Sequence, residues 1–266
     1  MHFISGLPRS GSTLLSAILK QNPRFNAGIT SPIPALINCT QQQMSGNEFS
    51  VFFDDIKREN IFKGIFESYY KDSNTDVIFD TNRVWTGRAS LLNVLYPNSK
   101  IICCVRELNW ILDSFERIHN KNPLQLSSVF GYNQTTSIYS RVELMMNSES
   151  GIIGAPWSTL NEAWFGEFAN KLILVPYDNL VKNPKNTINK LYQCLGEPEF
   201  EHDFDNVSYS EHEFDKHIGL LGLHDVGKKV KFVERNPIIP LDLFDKYSTS
   251  KFWNTPELNP KSVIVL

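Results

Sequence analysis

The chain has 266 residues and a composition that excludes several classes of protein. It is 41% hydrophobic and 21% charged, with a formal net charge of -3 at pH 7, so nothing suggests binding to nucleic acid or to an anionic membrane surface. No apolar run approaches the roughly 20 residues of a membrane span. No basic region followed by an apolar stretch precedes the first strand, so we expect neither a signal peptide nor a membrane anchor.

The first predicted elements are a strand, a glycine-containing turn and a helix. Residues 2–4 form a short apolar run, residues 6–11 contain two Gly, one Pro and one Ser, and helical spacing begins after Ser12. Unpaired N–H groups and the helix dipole make such a helix start favourable for anions. The sequence therefore predicts a phosphate- or sulfate-binding loop.

The spacing within this loop indicates which anion chemistry it supports. Residues 6–13 fit the pattern G-x-x-x-x-G-K-[ST] everywhere except at the lysine, where Ser12 stands. Because that lysine reaches the β- and γ-phosphates of a nucleoside triphosphate, its absence argues against ordinary ATP hydrolysis. The cation of this loop is Arg9, whose guanidinium can bind two oxygens of one phosphate or sulfate.

Residues 8–15, PRSGSTLL, resemble the loop with which sulfotransferases bind the 5′-phosphosulfate of 3′-phosphoadenosine-5′-phosphosulfate (PAPS). The likeness is greatest to the tyrosylprotein sulfotransferases and their small bacterial relatives. The resemblance implies that this loop binds the sulfuryl donor and that Arg9 also acts in catalysis. The implied donor-binding residues of the loop are Pro8, Arg9, Ser10, Gly11, Ser12, Thr13 and Leu14.

The segment after the first helix departs from the tyrosylprotein branch. Where those enzymes carry a glutamate as general base, residues 28–31 read Gly-Ile-Thr-Ser and contain no carboxylate. The next predicted element is an amphipathic helix over 49–70, in which Phe52, Ile56, Phe62 and Phe66 are expected to face the core.

A second predicted strand, residues 77–80, ends in Asp80. In the family that the loop resembles, a lysine and sometimes a histidine follow this strand, but the lysine is not evident here, and the chain offers Asp80, Asn82 and Arg83. We therefore expect Asp80 and Arg83 to be catalytic, with Asp80 as the first candidate for the acceptor base and a histidine of residues 202–224 as the second. An apolar strand ending in Asp also resembles a Mg²⁺-binding strand, so a small-molecule kinase using Mg-ATP stays an alternative.

A second motif follows the third predicted strand, residues 100–106. The continuous apolar run predicts burial on both faces of a parallel sheet. Arg106 ends the strand and Ser114 lies eight residues later in the next predicted helix. This arrangement resembles the family's 3′-phosphate site, which implies that Arg106 and Ser114 bind the ribose phosphate that distinguishes PAPS from other adenine nucleotides.

Two further donor-binding residues are implied by the resemblance. Tyr177 ends a fourth predicted strand, residues 171–177, and is expected near the adenine. Lys231 belongs to the basic cluster 227–235, which corresponds to a late loop that closes over the nucleotide. The four cysteines show no metal-binding spacing, so we expect no metal. The adjacent pair Cys103 and Cys104 lies in an apolar strand and is expected to be buried free thiols, as is usual for a protein of the reducing cytoplasm.

Strands that alternate with helices predict an α/β fold with a P-loop-like open, mostly parallel sheet and helices on both faces. One domain is expected over 1–266, with a nucleotide-binding core at about 1–120 and 171–196 and acceptor or lid segments at about 28–70, 121–168 and 200–245.

The resemblance implies a PAPS-dependent sulfotransferase that transfers a sulfuryl group to a hydroxyl or amine acceptor by in-line displacement without metal. A non-catalytic nucleotide-binding protein stays open beside the kinase. The sequence does not distinguish a small-molecule acceptor from a peptide, nor a monomer from a homodimer.

Overall fold

The computed structural model describes residues 1–46, 48–132, 137–248, 251–259 and 261–266. Within this part of the chain, one sheet has the strands β1 (His2–Gly6), β2 (Phe25–Ala27), β3 (Val77–Thr81), β4 (Ile101–Val105), β5 (Leu172–Pro176) and β6 (Ile264–Val265). The α-helices are α1 (Ser12–Leu19), α2 (Ile33–Ser45), α3 (Asp55–Tyr69), α4 (Ala89–Leu95), α5 (Leu108–Lys121), α6 (Ile138–Met146), α7 (Gly154–Phe165), α8 (Tyr177–Lys182), α9 (Pro184–Leu195), α10 (His212–His217) and α11 (Leu241–Lys246).

The sheet is parallel and has β1 in its interior. The strand order is β2-β3-β1-β4-β5-β6, and every described pairing in it is parallel. Phe3 pairs with Ile101 and Ile4 with Ile102, so β1 and β4 lie side by side along their length. The predicted open parallel sheet of an α/β fold is confirmed.

Alternate residues of β1, β4 and β5 enter two different hydrophobic cores. Phe3, Ile101 and Leu172 belong to the core that also contains side chains of α2, α3, α5 and α7. Ile4 and Ile102 belong to the opposite core, which contains side chains of α1 and α9. Because both faces are covered, β4 and β5 are apolar at consecutive positions rather than at every second one.

Two details of the fold differ from the sequence-based expectations. The three-residue strand β2 was not predicted, since so short a run has no distinctive pattern. The predicted helix over 49–70 is divided: Glu48–Phe52 forms a 3-10 helix, and α3 begins after Asp54, whose carboxylate accepts a 2.8 Å bond from Lys57 N. Phe62 and Phe66 are buried as expected, but Phe52 is 65% and Ile56 72% exposed.

Among the described residues, every helix is too short or too polar to cross a lipid bilayer.

Candidate functional site

A cavity of about 660 Å³ opens where β1, β3 and β4 end. The carboxyl edge of an open parallel sheet is the usual place for a ligand in such folds. The cavity is also lined by the segment 214–235, which follows α9. The lining of the cavity includes most of the residues that the sequence predicted to bind the donor: Pro8, Arg9, Gly11, Ser12, Thr13, Leu14, Arg106, Ser114, Tyr177 and Lys231.

The loop between β1 and α1 adopts a backbone shape that few residues permit. Gly6, Arg9 and Gly11 have φ angles of 99°, 56° and 94°. A Cβ on Gly6 would lie 2.3 Å from the carbonyl oxygen of Cys104, which accepts a 2.8 Å bond from Leu7 N. The loop is therefore fixed closely against β4, and Gly6 leaves the space that this contact needs.

The start of α1 is open to an anion. Gly11 is the N-cap residue and makes no side-chain cap hydrogen bond, so no side chain covers the first N–H groups from that position. Ser10 is fully buried, and its Oγ donates a 3.2 Å bond to the carbonyl of Pro8. Ser10 thus stabilises the loop from within and does not line the cavity, unlike Ser12 and Thr13.

Arg9 connects three parts of the site. Its Nε donates a 3.0 Å hydrogen bond to Ser114 Oγ on α5, and its Nη1 donates to the carbonyl of Leu223. Burial, together with the nearby charge of Arg106, lowers the pKa of Arg9 to about 10. Arg9 remains charged at neutral pH, in a position where an anionic ligand would compensate its charge.

Arg106 has an unsatisfied donor. Its guanidinium carbon lies 4.2 Å from the centre of the Tyr177 ring, as in a cation–π contact. Its Nε is buried and has no hydrogen-bond partner among the described residues. Burial lowers the pKa of Arg106 to about 10. A buried donor without a partner is costly in a folded protein, and an anionic oxygen would satisfy it.

The charges around the cavity are strongly unbalanced. Among the described lining residues, Asp225 is the one carboxylate. The cationic lining residues are Arg9, Arg83, Arg106, Lys229, Lys231 and Arg235. Two of them have acidic partners outside the lining: Lys229 lies 2.8 Å from Asp205, and Arg235 lies 3.8 Å from Asp113. Such a lining favours a ligand that carries several negative charges.

The two expected catalytic residues after β3 have different positions. Arg83 lines the cavity. Asp80 does not: it is 0% exposed, one carboxylate oxygen accepts a 2.7 Å bond from the Tyr70 hydroxyl, and the other accepts a 2.6 Å bond from Trp85 Nε1. Burial raises the pKa of Asp80. Contrary to the expectation from the sequence, both oxygens are occupied within the protein and neither faces the cavity.

A histidine–aspartate pair faces the cavity instead. His224 Nδ1 lies 2.5 Å from Asp215 Oδ1, and the backbone N–H of His224 donates a 2.9 Å bond to Asp215 Oδ2. Asp215 is fully buried, whereas His224 lines the cavity. Burial lowers the pKa of His224 below its usual value and Asp215 opposes this shift, while the charges of Arg9 and Arg83 add to it.

The sequence indicated the late histidines only as a group. Their spacing does not single out His224, because the contact with Asp215 depends on the turn at 218–223, in which Gly219 and Gly222 have positive φ angles. No periodic pattern in the sequence contains that information.

A second cavity of about 440 Å³ adjoins the first at Arg106, Tyr177 and Arg235. Trp110 and Phe232 also line it, and cations lie over both rings: Arg235 at 5.7 Å from the centre of Trp110 and Lys182 at 4.3 Å from that of Phe232. This cavity combines aromatic surface with charges of both signs: its lining includes Arg106, Lys182, Arg235 and Lys251 as well as Glu107, Asp178 and Glu234. The pair of cavities can therefore accept an elongated ligand with an aromatic and an anionic part.

Comparison with known proteins agrees with this geometry. A family model described as "Sulfotransferase family" matches residues 2–202. The sulfotransferase domain from the curacin biosynthetic pathway has a similar fold, with a TM-score of 0.53 at 18% identity over 94% of this chain and 90% of that chain. A comparison with curated protein sequences gives no significant match.

Two further solved structures are more distantly similar. The sulfotransferase domain of the Synechococcus PCC 7002 olefin synthase has a TM-score of 0.49 at 16% identity, over 94% of both chains. Sulfotransferase STF9 from Mycobacterium avium has a TM-score of 0.44 at 11% identity, over 74% of this chain and 64% of that chain.

Proposed function

Because this chain belongs to the sulfotransferase family, we propose that it transfers a sulfuryl group from PAPS to a hydroxyl or amine acceptor, with His224 as the general base. The observation that carries the proposal is the buried Nε of Arg106, which has no hydrogen-bond partner in the described part of the chain and lies where the two cavities meet. A donor nucleotide with a phosphate at this junction would satisfy it, while the rest of the nucleotide would extend into both cavities.

The residues of the chain divide between the two ends of the donor. Arg9, Ser12, Thr13 and the N–H groups at the start of α1 bind the 5′-phosphosulfate. The 3′-phosphate is bound by Arg106 and Ser114, and Tyr177 packs near the adenine. Lys231 and Arg235 cover the nucleotide from the late segment, and Arg83 faces the sulfonate.

Sulfuryl transfer requires one proton transfer and one displacement. The acceptor oxygen or nitrogen attacks sulfur, the bond between sulfur and the bridging oxygen breaks, and that oxygen leaves with the electron pair on the 5′-phosphate. His224 takes the acceptor proton on Nε2, because its Nδ1 is engaged by Asp215. Arg9 and the loop N–H groups stabilise the charge that develops on the leaving oxygen.

The kinase alternative loses its main support. It needed Asp80 as a Mg²⁺ ligand, and both Asp80 oxygens accept hydrogen bonds from Tyr70 and Trp85. No observation in the described part of the chain favours a bound Mg-ATP over PAPS.

Calorimetric titration with 3′-phosphoadenosine-5′-phosphate (PAP), ADP and ATP, each with and without Mg²⁺, tests the donor. We expect PAP to bind tightly and independently of Mg²⁺, and ADP and ATP to bind weakly, because they lack the 3′-phosphate. A Mg²⁺-dependent preference for ATP would contradict the proposal and would favour the kinase alternative.

A further inference from the structure

The lining of the first cavity has an apolar part beside its cationic one. Six apolar side chains belong to it, and we name them the acceptor wall: Ile29, Val129, Ile152, Phe214, Ile218 and Leu223. Three of them, Phe214, Ile218 and Leu223, come from the segment that carries His224. From this wall we propose that the acceptor is a neutral, mainly apolar alcohol, such as an alkylphenol or a long-chain alcohol. The inference rests on the proposed function, since it concerns the second substrate of the same reaction.

The acceptor wall stands next to the base. The ring of Phe214 lies 5.5 Å from that of His224. Leu223 immediately precedes His224, and its carbonyl accepts from Arg9, which places Leu223 between the base and the donor loop. When the hydroxyl of an acceptor lies next to His224, the rest of the acceptor would therefore contact these side chains.

The wall is assembled from separate segments that are joined by hydrogen bonds. Ser128 N donates a 3.2 Å bond to the carbonyl of Ile218, and the Oγ of Ser128 donates to the same oxygen at 3.3 Å. These bonds fix Val129 beside Ile218. The apolar surface is thus a built part of the cavity, with its segments held in place by the backbone.

The charges and polar groups of this side exclude other acceptor classes. The cations of the cavity belong to the donor loop, to the ends of β3 and β4 and to residues 229–235, and none belongs to the acceptor wall. Arg9 and Arg83, the cations that act on His224, are assigned to the sulfuryl donor, so an acidic peptide would find no further cation there and would meet the carboxylate of Asp225. A sugar would meet few hydroxyl partners, Thr30, Ser128 and Ser150, beside the six apolar side chains, and each hydroxyl buried without a bond is costly.

An apolar acceptor, in contrast, gains from this surface. Val129, Ile152 and Ile218 are half-buried and Phe214 is 40% exposed, so apolar area remains to be covered by a ligand. Each methylene that moves from water to such a surface strengthens binding by about fourfold. Affinity should therefore increase with the length of an alkyl chain.

The test uses wild-type protein saturated with PAP and calorimetric titration with 4-ethyl-, 4-propyl-, 4-butyl- and 4-hexylphenol, beside glucose and an acidic tyrosine peptide. We expect affinity to rise by about fourfold per methylene at first and then to level off, with glucose and the peptide binding far more weakly. Affinities that do not depend on chain length, or tighter binding of glucose or the peptide, would overturn the inference.

A matched pair of variants localises the effect. Ile152→Lys places a charge on the acceptor wall, and we expect it to weaken 4-hexylphenol binding at least about tenfold with PAP affinity unchanged. Ile56→Lys makes the same substitution at a residue that is 72% exposed on α3, outside the cavity, and should change neither affinity. An Ile152→Lys variant that still binds 4-hexylphenol normally would contradict the inference. If wild-type protein binds no PAP, the proposed function itself fails and the acceptor inference fails with it.

Discussion

Arg9 Nε donates a 3.0 Å hydrogen bond to Ser114 Oγ, across 105 residues of sequence. Arg9 belongs to the loop that resembles a 5′-phosphosulfate site, and Ser114 to the motif that resembles a 3′-phosphate site. The bond joins these two motifs directly, without a ligand between them. Two regions that the sequence identified independently are therefore parts of one site.

Replacing Arg106 by Ala should weaken PAP binding by about 10- to 100-fold, because a charge-assisted hydrogen bond to the 3′-phosphate is lost. Calorimetric titration measures the change. Arg24→Ala provides the control, since Arg24 pairs with Asp76 and Glu197 and does not line either cavity. Unchanged PAP affinity in Arg106→Ala would refute the assignment of the 3′-phosphate site.

Arg9→Ala should remove at least about 2–3 kcal/mol of transition-state stabilisation, the usual effect of deleting one preorganised donor at a developing anion. The rate with PAPS and an accepted alcohol should fall by about 30- to 150-fold. Thermal denaturation checks that the variant folds. A rate within about threefold of wild type, in a folded variant, would show that Arg9 does not act on the leaving group.

The pH dependence of kcat/KM for PAPS should report the ionisation of His224. The base is active when neutral, so the rate falls as the pH decreases through the pKa of His224. Burial holds that pKa below its ordinary value near 6.5, so the acidic limb should have its midpoint below pH 6.5. His224→Gln should lose about 10²- to 10⁴-fold in rate and the limb with it.

Asp80→Asn separates the two candidates for the base. Since the Asp80 carboxylate faces Tyr70 and Trp85, the variant should keep the acidic limb of wild type and lose thermal stability. If the limb disappeared in Asp80→Asn and remained in His224→Gln, Asp80 would be the base after all.

Gly6→Ala should destabilise the fold by about 2–4 kcal/mol, because the new Cβ meets the backbone of β4 and the residue has a φ of 99°. Urea denaturation measures this loss. Gly64→Ala is the matched control: Gly64 lies inside α3 with open space around it, so alanine should stabilise the helix by about 0.5–1 kcal/mol. Opposite signs for the two variants are expected, and a similar small effect of both would contradict the close contact.

The parts of the site that the sequence predicted well depend on short-range patterns. A few neighbouring residues determine the geometry of a glycine turn between a strand and a helix. The same is true of an arginine at the end of a buried strand. The surroundings of the Asp80 carboxylate cannot be predicted in this way. Tyr70 and Trp85 come from the segments before and after the strand, and nothing in an apolar strand predicts that they enclose the carboxylate.

The exposed Phe52 and Ile56 show a similar limit. Their spacing continues the apolar positions of α3, but the helix begins only at Asp55 and leaves Phe52 outside it. The pairing of His224 with Asp215 is the opposite case, in which a contact essential for the proposed chemistry joins helix α10 to the loop that follows it. Asp215 and His224 are only 9 residues apart in the sequence, yet only the folded turn brings the two side chains together.

The strand order bears on the order in which the parts of the site form during synthesis. β1 is made first and is flanked on its two sides by β3 and β4, so the donor loop has its complete framework once β4 has left the ribosome. His224 and the basic cluster follow only after β5 and α9. Since chains generally fold from the N-terminus as they emerge, we expect the donor loop to take its shape before Tyr177, Lys231 and His224 are in place. The complete donor site and the base should therefore form together, when the last quarter of the chain folds over the loop.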